Sequence, residues 1–389
     1  MKSAILSLTL GATAALAAPS VLKKRAACDA PVNITQSENP FEGRTLHANS
    51  KYRAEVEAAA ANLTDSSLAS AAAAVADVGT FLWLDTISTI ETFEGYLQEA
   101  DCSEIFGVVI YDLPGRDCAA KASNGELAVG ELDRYKSEYI DPIAAIIAAN
   151  PNIAIAAIIE PDSLPNLVTN IDLTTCQDSA SGYRDGVAYA LEQLNFPNVA
   201  AYIDAGHGGW LGWNDNLKPG AEELAAVYKA AGSPAIVHGV SSNVAGWNAW
   251  SKNPGEFEND PDGQYNTSQD EERYTQYFGD ALEAAGLPNH FIVDTSRNGV
   301  QGLREEWGDW CNVKGAGFGV RPTSDTGSDR ADAFVWVKPG GESDGTSDSS
   351  AVRYDSFCGK EDAFKPSPEA GTWHQAFFED LIKNANPAF

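Results

Sequence analysis

Residues 108–118 read Val-Val-Ile-Tyr-Asp-Leu-Pro-Gly-Arg-Asp-Cys, and this stretch decides the fold. Its β-branched apolar start predicts a buried strand, which the Pro-Gly turn signal ends. Residues 153–162, Ile-Ala-Ile-Ala-Ala-Ile-Ile-Glu-Pro-Asp, have the same form. Each predicted strand therefore ends in a loop that carries an aspartate, Asp117 in the first and Asp162 in the second. Because parallel α/β folds build their chemistry at the carboxyl ends of the strands, we expect both carboxylates to face one substrate.

Strand candidates and helix-like segments alternate along the rest of the chain. The strand candidates are residues 80–84, 107–111, 153–159, 199–203, 235–240, 290–293 and 333–337. The helix-like segments are an alanine-rich region at 51–77 with a break near 64–66, then 131–149, 183–195, 219–232 and 270–286. This alternation predicts parallel strands joined by right-handed crossovers. Seven strands suit a parallel (β/α) barrel better than an open sheet, although periodicity alone does not separate the two.

Polar and aromatic side chains recur where the predicted strands end. In chain order they are Trp83, Asp85, Tyr111, Asp117, Glu160, Asp162, Asp204, His207, Ser242, Asn243, Asp294, Arg297, Lys338 and Glu342. Acidic residues favour loops in general, which explains any one position but not the whole set. A ring of such groups at one rim is typical of a (β/α)-barrel active site. The Gly/Ser/Asp/Pro-rich segment 338–370 is unusually long, and we expect it to lie over that site.

Charge and the N-terminal segment limit the partners and the location. The 389-residue chain has a formal net charge of -29, which repels nucleic acid and anionic membranes, so neither is an expected partner. Residues 1–17 have an early lysine, an apolar run and small residues, the pattern of a secretory signal peptide. The basic residues 23–25 indicate a short pro-segment over 18–25. We therefore expect a secreted, extracellular protein with an N-terminal arm and a single catalytic domain over 26–389, without an appended binding module.

Secretion makes the cysteines disulfide candidates, and spacing alone does not choose their pairing. They are Cys28, Cys102, Cys118, Cys176, Cys311 and Cys358. Asn33, Asn62 and Asn266 each begin an N-glycosylation sequon. The sequence has no Cys-x-x-Cys pair and no His/Cys cluster, so we expect no metal, and it has no cofactor motif.

Tryptophan in glycine-rich loops is the most informative feature of the remaining sequence. The chain has no Gly-x-Ser-x-Gly, and its five histidines offer no triad. The loop DAGHGGWLGW at 204–213 lacks the Lys-Ser/Thr ending of a phosphate-binding loop. A single tryptophan is most often part of a core, but tryptophan beside glycine and charged residues suits a platform for a sugar ring. Together with acidic loops and secretion, this indicates polysaccharide hydrolysis, which needs a protonated carboxylic acid.

Five blocks carry a resemblance to a known family. They are YDLPGRDCAAKASNGE at 111–126, IEPDSLPNLVTN at 159–170, DAGHGGWLGW at 204–213, EWGDWCNVKGAGFG at 306–319 and VKPGGESDGTSDSS at 337–350. In this order they resemble glycoside hydrolase family 6, and secreted fungal members are most similar. The resemblance implies a distorted seven-stranded parallel (β/α) barrel, TIM-like, with the active site at the C-terminal strand ends under loops. It also implies inverting cleavage of β-1,4-glucan, with cellulose and cello-oligosaccharides as substrates, no cofactor, and a monomer.

The resemblance further implies roles for individual residues. Asp162 matches the general acid, and Asp117 matches the aspartate that helps to keep this acid protonated. Tyr111 matches the tyrosine that favours distortion of the sugar, and Ser123 matches a loop serine associated with the attacking water. Asp344 matches the aspartate proposed as base, for which proton transfer through a water chain is the rival account. Sugar-stacking positions match Trp83, Trp210, Trp213 and Trp310, and hydroxyl-binding positions match Asp85, Arg116, His207, Asn243, Lys338 and Glu342.

Electrostatics supports this division of roles. Arg116 beside Asp117 favours the charged form of that carboxylate, and a charged Asp117 disfavours charge on Asp162. The two carboxylates would thus separate into acid and helper. Inversion would require acid and base carboxyl groups roughly 6.5–9.5 Å apart, which leaves room for a water.

The family pattern also implies disulfides from Cys118 to Cys176 and from Cys311 to Cys358, which leaves Cys28 to pair with Cys102. Ser343 stands where related sequences often carry a free cysteine, and we expect this change to be neutral for the chemistry.

Three functional hypotheses remain open at this point. The first is a cellobiohydrolase with a tunnel closed by loops 114–130 and 338–370, which releases mainly cellobiose from non-reducing chain ends. The second is an endo-acting β-1,4-glucanase with an open cleft. The third is a non-catalytic glucan-binding protein. Full-length loops favour the first, and the presence of Asp117, Asp162 and Asp344 argues against the third.

Overall fold

A computed structural model of the protein describes residues 30–389. Within this range the strands are β1 Thr45–Leu46, β2 Leu82–Leu84, β3 Glu104–Ile110, β4 Ala154–Ile159, β5 Val199–Asp204, β6 Val237–Ser242, β7 His290–Asp294 and β8 Ala331–Val335. All pair in parallel in one sheet, in the order β1-β3-β4-β5-β6-β7-β8, and β2 pairs with β3. The seven predicted strands correspond to β2–β8, and the two-residue β1 was not predicted.

The sheet curves into a nearly closed barrel. β1 pairs with the start of β3, where Thr45 is opposite Glu104, and β2 pairs with its end, where Leu82 is opposite Val108. Across the remaining seam, the Phe81 N–H donates to the Trp336 carbonyl at 3.0 Å. The predicted seven-stranded (β/α) barrel of the TIM type is confirmed.

Helices surround the barrel and cover its outer face. They are α1 Ser50–Ala60, α2 Ser66–Val75, α3 Ile90–Leu97, α4 Leu132–Arg134, a π-helical turn Tyr135–Ile140, α5 Asp141–Ala149, α6 Ser163–Thr169, α7 Thr174–Gln193, α8 Asn214–Ala230, α9 Glu271–Ala285 and α10 Gln375–Lys383. The break predicted near 64–66 separates α1 from α2. There the Asp65 carboxylate accepts hydrogen bonds from the Ser67 and Leu68 amides and caps α2.

The sequence prediction missed α3, α6 and α10 and placed the starts of α7 and α8 too late. In α6, Pro165 is the third helical residue, a position where a missing N–H costs nothing. The start of α7 is rich in Thr and Ser, which have weak helix propensity. Its buried Cys176, bonded to Cys118, attaches this turn to the loop after β3. Tertiary contacts therefore outweigh local preference at both helices.

The strands are buried on both faces, as parallel sheets require. In β3, Val108 and Ile110 belong to the large core between sheet and helices, whereas Val109 packs into the barrel interior. Tyr111, directly after β3, continues this alternation and also belongs to the interior core. Strand geometry thus places the Tyr111 side chain at the carboxyl end of the barrel, inside the wall.

The described part of the N-terminal arm packs onto the barrel. The Val32 amide donates to the Pro151 carbonyl at 2.8 Å, and the Ile34 amide donates to the Pro197 carbonyl at 2.7 Å. Phe41 lies in the interior core with Tyr202, their ring centroids 6.4 Å apart. The predicted signal peptide and pro-segment lie outside the described residues. Over residues 30–389, no helix has the length and apolar character needed to cross a membrane.

The three sequons differ in accessibility. Asn33 and Asn62 are exposed. Asn266 is buried, and its side-chain amide donates to the Gly208 carbonyl at 2.8 Å while its oxygen accepts from the Ser268 amide. The folded protein therefore presents two acceptor asparagines at its surface, and the Asn266 side chain serves packing.

Candidate active site

A cavity of about 520 Å³ opens at the carboxyl ends of the strands and under the loops that follow them. Most of the predicted catalytic and substrate-binding residues line it. They are Trp83, Asp85, Tyr111, Arg116, Asp117, Ser123, Asp162, His207, Trp210, Trp310, Lys338, Glu342 and Asp344. The fold therefore gathers residues from most of the strand ends around one space of a size suited to a small ligand.

Asp117 is held by its neighbours in the loop after β3. The Tyr111 hydroxyl donates to Asp117 Oδ1 at 3.1 Å, and the Ser123 side chain also hydrogen-bonds this carboxylate. The Arg116 guanidinium lies over the Tyr111 ring, 4.1 Å from its centroid, and donates to the Ser123 carbonyl at 2.9 Å. Asp117 has a φ of 58°, a left-handed conformation that costs free energy in a non-glycine residue and is common at functional sites.

Asp162 follows β4 at the start of α6, also in a left-handed conformation, with a φ of 66°. Its backbone amide donates to Asp204 Oδ2 at 3.0 Å, which orients the turn. Loss of hydration, followed by the charges of Asp117 and Asp204, raises the pKa of the Asp162 carboxyl well above its usual range. Asp162 is therefore the carboxyl group in the cavity that is set to hold a proton.

Asp117 has a different electrostatic environment. Burial raises its pKa too, but the Arg116 charge and the hydrogen bonds from Tyr111 and Ser123 oppose this increase. The prediction that Arg116 favours the charged form agrees with this contribution, although burial still raises the pKa overall. Because Arg116, Tyr111 and Ser123 all stabilise its charged form, Asp117 is better able than Asp162 to carry a negative charge.

Asp344 forms a buried ion pair. Arg297 Nη1 lies 2.8 Å from each of its carboxylate oxygens, and the Asn312 amide donates to Oδ2 at 2.8 Å. The Arg297 guanidinium also lies over the Trp247 ring, 3.9 Å from the centroid. The chemistry available to Asp344 is therefore coupled to a buried cation.

Aromatic side chains form much of the remaining wall. Trp83 meets Tyr111 edge to face at 5.1 Å, and its indole N–H donates to the Val337 carbonyl. The indole N–H of Trp210 donates to Thr169 Oγ1 at 2.7 Å. Because their polar edges are occupied by protein partners, these half-buried rings are oriented rigidly, as sugar-stacking platforms must be.

A sequence profile described as "Glycosyl hydrolases family 6" matches residues 41–385. The chain belongs to this family.

Named relatives agree with this family 6 assignment. The chain is 65% identical over 381 residues to the 1,4-beta-D-glucan cellobiohydrolase CEL6C of Podospora anserina, covering 96% of each sequence. It is 51% identical to Exoglucanase 3 of Agaricus bisporus, with 90% of this chain and 80% of the relative covered. Among solved structures, the cellobiohydrolase Cel6A of Humicola insolens in complex with glucose and cellotetraose superposes with a TM-score of 0.86 at 48% identity, covering 90% of this chain and all of that one (100%).

Two predicted substrate-binding residues of this family 6 chain do not line the cavity. Trp213 packs against Trp307 at 5.8 Å and donates from its indole N–H to the Gly209 carbonyl. Asn243 is fully buried, and its amide donates to the carbonyls of Asn248 and Asp294. The geometry gives Trp213 and Asn243 packing and loop-holding contacts, and their predicted contact with sugar stays a prediction.

Several wall residues were not predicted as ligand-binding. They are Lys51, Asn166, Asn170, Trp247, Arg304, Trp307, Arg353 and Phe357. The pair Asn166 and Asn170 had a readable signal, since spacing of four on a helix places both amides on one face, where they hydrogen-bond at 2.8 Å. Lys51 had no such signal, because it belongs to α1, which precedes β2, the first of the predicted strands.

The glycine-rich loop after β5 has a packing reason. A Cβ on Gly209 would lie 2.3 Å from Trp307 Nε1, so only glycine lets this tryptophan approach the loop backbone. Gly209 of this loop therefore admits the Trp307 side chain to the wall.

Two disulfides and a hydrogen bond from the Lys121 amide to Asp355 hold the loops around the cavity. The predicted pairs Cys118–Cys176 and Cys311–Cys358 are both confirmed. The pairing of Cys28 with Cys102 includes a residue outside the described range and stays a prediction. Loop 338–370 contributes wall residues from Lys338 to Ala370, as expected for a segment over the site.

Ser343 is buried in this loop, and its hydroxyl hydrogen-bonds the Pro368 carbonyl at 2.9 Å and the Gly345 carbonyl at 3.1 Å. The Ser343 side chain thus serves to hold loop 338–370.

Proposed function

We propose that this protein hydrolyses β-1,4-glucosidic bonds in cellulose with inversion, and that it releases mainly cellobiose from non-reducing chain ends. The observation that carries the proposal is the pair Asp162 and Asp117 at neighbouring strand ends of one tryptophan-lined cavity. One carboxyl has a strongly raised pKa, and the other has compensating donors. Family membership and the names of the relatives support the substrate class.

Asp162 is the general acid in this proposal. Its proton passes to the glycosidic oxygen as the bond from that oxygen to the anomeric carbon breaks. Asp117 stabilises the positive charge that develops on the sugar ring, and its own negative charge keeps Asp162 protonated until the reaction. Tyr111 contacts Asp117 through its hydroxyl and crowds the ring at the point of cleavage. Ser123, on the loop after β3, orients the attacking water on the opposite face.

The contacts of Asp344 favour proton loss from that water through a water chain. If Asp344 accepted the proton directly, the buried Arg297 guanidinium would lose its charge partner at 2.8 Å. We therefore assign Asp344 to electrostatic support of the site rather than to direct base catalysis.

The contact between two loops favours exo action over an open cleft. The Lys121 amide, in loop 114–130, donates to Asp355 Oδ2, in loop 338–370, at 3.1 Å. Ala119, Ala120 and Phe357, adjacent in the two loops, line the cavity. A bridge between loops at the cavity wall is the feature expected of an enclosed substrate path.

The deciding experiment is the product profile on amorphous cellulose, read together with the anomeric configuration of the earliest products. We expect mostly cellobiose in the α-configuration. A spread of longer oligosaccharides, with inversion, would replace exo action with the endo-glucanase alternative. Net retention would contradict the mechanism, and binding without any product would favour the non-catalytic alternative.

Secretion and a monomeric state belong to the same proposal. The acidic net charge of -29, the sequence pattern of residues 1–17 and the disulfides at Cys118 and Cys311 support an extracellular enzyme whose single catalytic domain spans 26–389. Neither nucleic acid nor membrane is a partner in this proposal.

A further inference from the structure

His207, in the loop after β5, lines the cavity. Only one nitrogen of its ring, Nδ1, has hydrogen-bond partners among residues 30–389. Nδ1 lies 3.1 Å from the Gly209 amide nitrogen and 3.1 Å from Asn248 Nδ2. A backbone N–H can only donate a hydrogen bond, so Nδ1 must be the acceptor in the contact with Gly209. No residue in the range 30–389 forms a hydrogen bond to Nε2.

The orientation of the Asn248 amide decides the second contact of Nδ1. Arg304 Nη2 lies 2.9 Å from Asn248 Oδ1, and Trp307 Nε1 lies 3.1 Å from the same atom. Guanidinium and indole nitrogens only donate, so the Asn248 oxygen must face them. Its amide nitrogen consequently faces His207, and Nδ1 accepts a second hydrogen bond.

Glu271, the first residue of α9, secures this orientation from the other side. Its Oε1 accepts from Asn248 Nδ2 at 2.7 Å and from the Gly208 amide at 3.0 Å, and its Oε2 accepts from the Ser242 hydroxyl. Glu271 is fully buried and lines no part of the cavity. Both oxygens of this buried carboxylate are occupied by hydrogen bonds within the protein, so Glu271 acts by holding Asn248 and Gly208 in place.

We propose that Asn248 and Glu271 are positioning residues that hold His207 in the neutral tautomer with its proton on Nε2. Nε2, which has no partner among residues 30–389, is then a hydrogen-bond donor and would bind the oxygen of a sugar hydroxyl. The Trp210 ring, the proposed stacking platform, lies 6.1 Å from the His207 ring between centroids. This deepens the proposed function and rests on it for the identity of the ligand.

The same surroundings keep the ring neutral. Burial, followed by the charge of Arg304, lowers the pKa of His207 to about 3. Imidazolium, which would donate from both nitrogens and lose both contacts at Nδ1, is therefore disfavoured at neutral pH.

The test reads the tautomer directly in the protein without substrate. Selective ¹⁵N-histidine labelling and long-range ¹H–¹⁵N correlation distinguish a protonated from a bare ring nitrogen, and loss of one spin system in His207→Gln assigns the signal. We expect His207 to show a bare Nδ1 and a protonated Nε2 at neutral pH. A protonated Nδ1 in the wild-type protein would overturn the proposal, whatever its activity on glucan.

A double variant tests the positioning role. In Asn248→Asp/Glu271→Gln, a carboxylate oxygen replaces the amide donor that faces Nδ1, while the Gly209 amide stays in place. Because a charge-assisted hydrogen bond to the carboxylate outweighs the single contact with the Gly209 amide, we expect the His207 proton to move to Nδ1. The KM for cellotetraose should then rise roughly fivefold, the loss of about one hydrogen bond, with kcat within about twofold. An unchanged tautomer in the folded double variant would refute the role.

Glu272→Gln is the matched control. Glu272 neighbours Glu271 on α9, but its side chain forms no hydrogen bond to Asn248 or Gly208, so the tautomer and the KM should stay those of the wild type. If the double variant does not fold, the wild-type spectrum alone still decides the tautomer. Inactivity on every glucan would refute the proposed function but not the tautomer assignment.

Discussion

Arg297 and Asp344 form an ion pair inside the cavity wall, with one guanidinium nitrogen 2.8 Å from both carboxylate oxygens. Arg297 is buried, and its residual contacts are the Trp247 ring and the Ala245 carbonyl. Breaking a buried pair by removing one partner leaves an uncompensated charge, which is far more costly than removing both partners. Removing the Asp344 charge should therefore lower the stability of the fold, an effect not expected of a residue that serves only as a catalytic base.

We expect Asp344→Asn to lower the free energy of unfolding by roughly 3–5 kcal/mol, since Arg297 stays charged and buried. Denaturant-induced unfolding measures this change. The double variant Arg297→Met/Asp344→Asn should recover most of the lost stability. Wild-type stability in Asp344→Asn would show that the pair is not coupled as the geometry indicates.

Asp162→Asn should remove the proton donor while its shape remains. We expect kcat on cellotetraose to fall by at least about 100-fold, the usual contribution of a general acid, while calorimetric binding of the same ligand persists. Asp172→Asn, at an exposed position beyond α6, is the control and should keep wild-type rates. Retained turnover in Asp162→Asn would rule out its assignment as the acid.

Asp204→Asn should change the pH dependence of the reaction. The charge of Asp204 is one of the causes that raise the pKa of Asp162, and burial places the pKa of Asp204 itself at about 6. Above that pH the substitution removes a negative charge, so the pKa of Asp162 falls and the acid loses its proton earlier.

The alkaline limb of kcat/KM should therefore move to lower pH. A pH–rate profile on a soluble oligosaccharide measures the shift, and the exposed Asp215→Asn provides the control. A limb that stays in place would mean that Asp204 acts only through its hydrogen bonds to the loop.

Asp355→Ala should loosen the bridge between the two loops. The variant removes the acceptor of the Lys121 amide, while both described disulfides remain. We expect more internal cleavage, seen as a greater fall in the viscosity of soluble glucan for each reducing end released. Asp348→Ala, an exposed change in the same loop, should leave this ratio unchanged. An unaltered ratio in Asp355→Ala would separate the bridge from the mode of attack.

Sequence pattern was most reliable where the signal is local. The seven strands follow from short apolar runs, and Asp117 and Asp162 from the loops that end two of them. The two described disulfides followed from family resemblance rather than from spacing. The packing of Trp213 against Trp307 and the hydrogen bond of Asn243 to the Asp294 carbonyl could not be predicted, because a motif does not say which neighbours a side chain meets in the folded protein.

The sequence by itself determined the parallel barrel, the rim at which the cavity opens and the two aspartates, Asp117 and Asp162, that line it. Only the tertiary structure decided which groups surround them. Arg297 meets Asp344 across 47 residues, Lys121 meets Asp355 across 234, and Asn248 meets His207 across 41. Strands and turns arise from interactions between near neighbours in the chain, whereas proton positions and charge pairs depend on side chains that only barrel closure brings together.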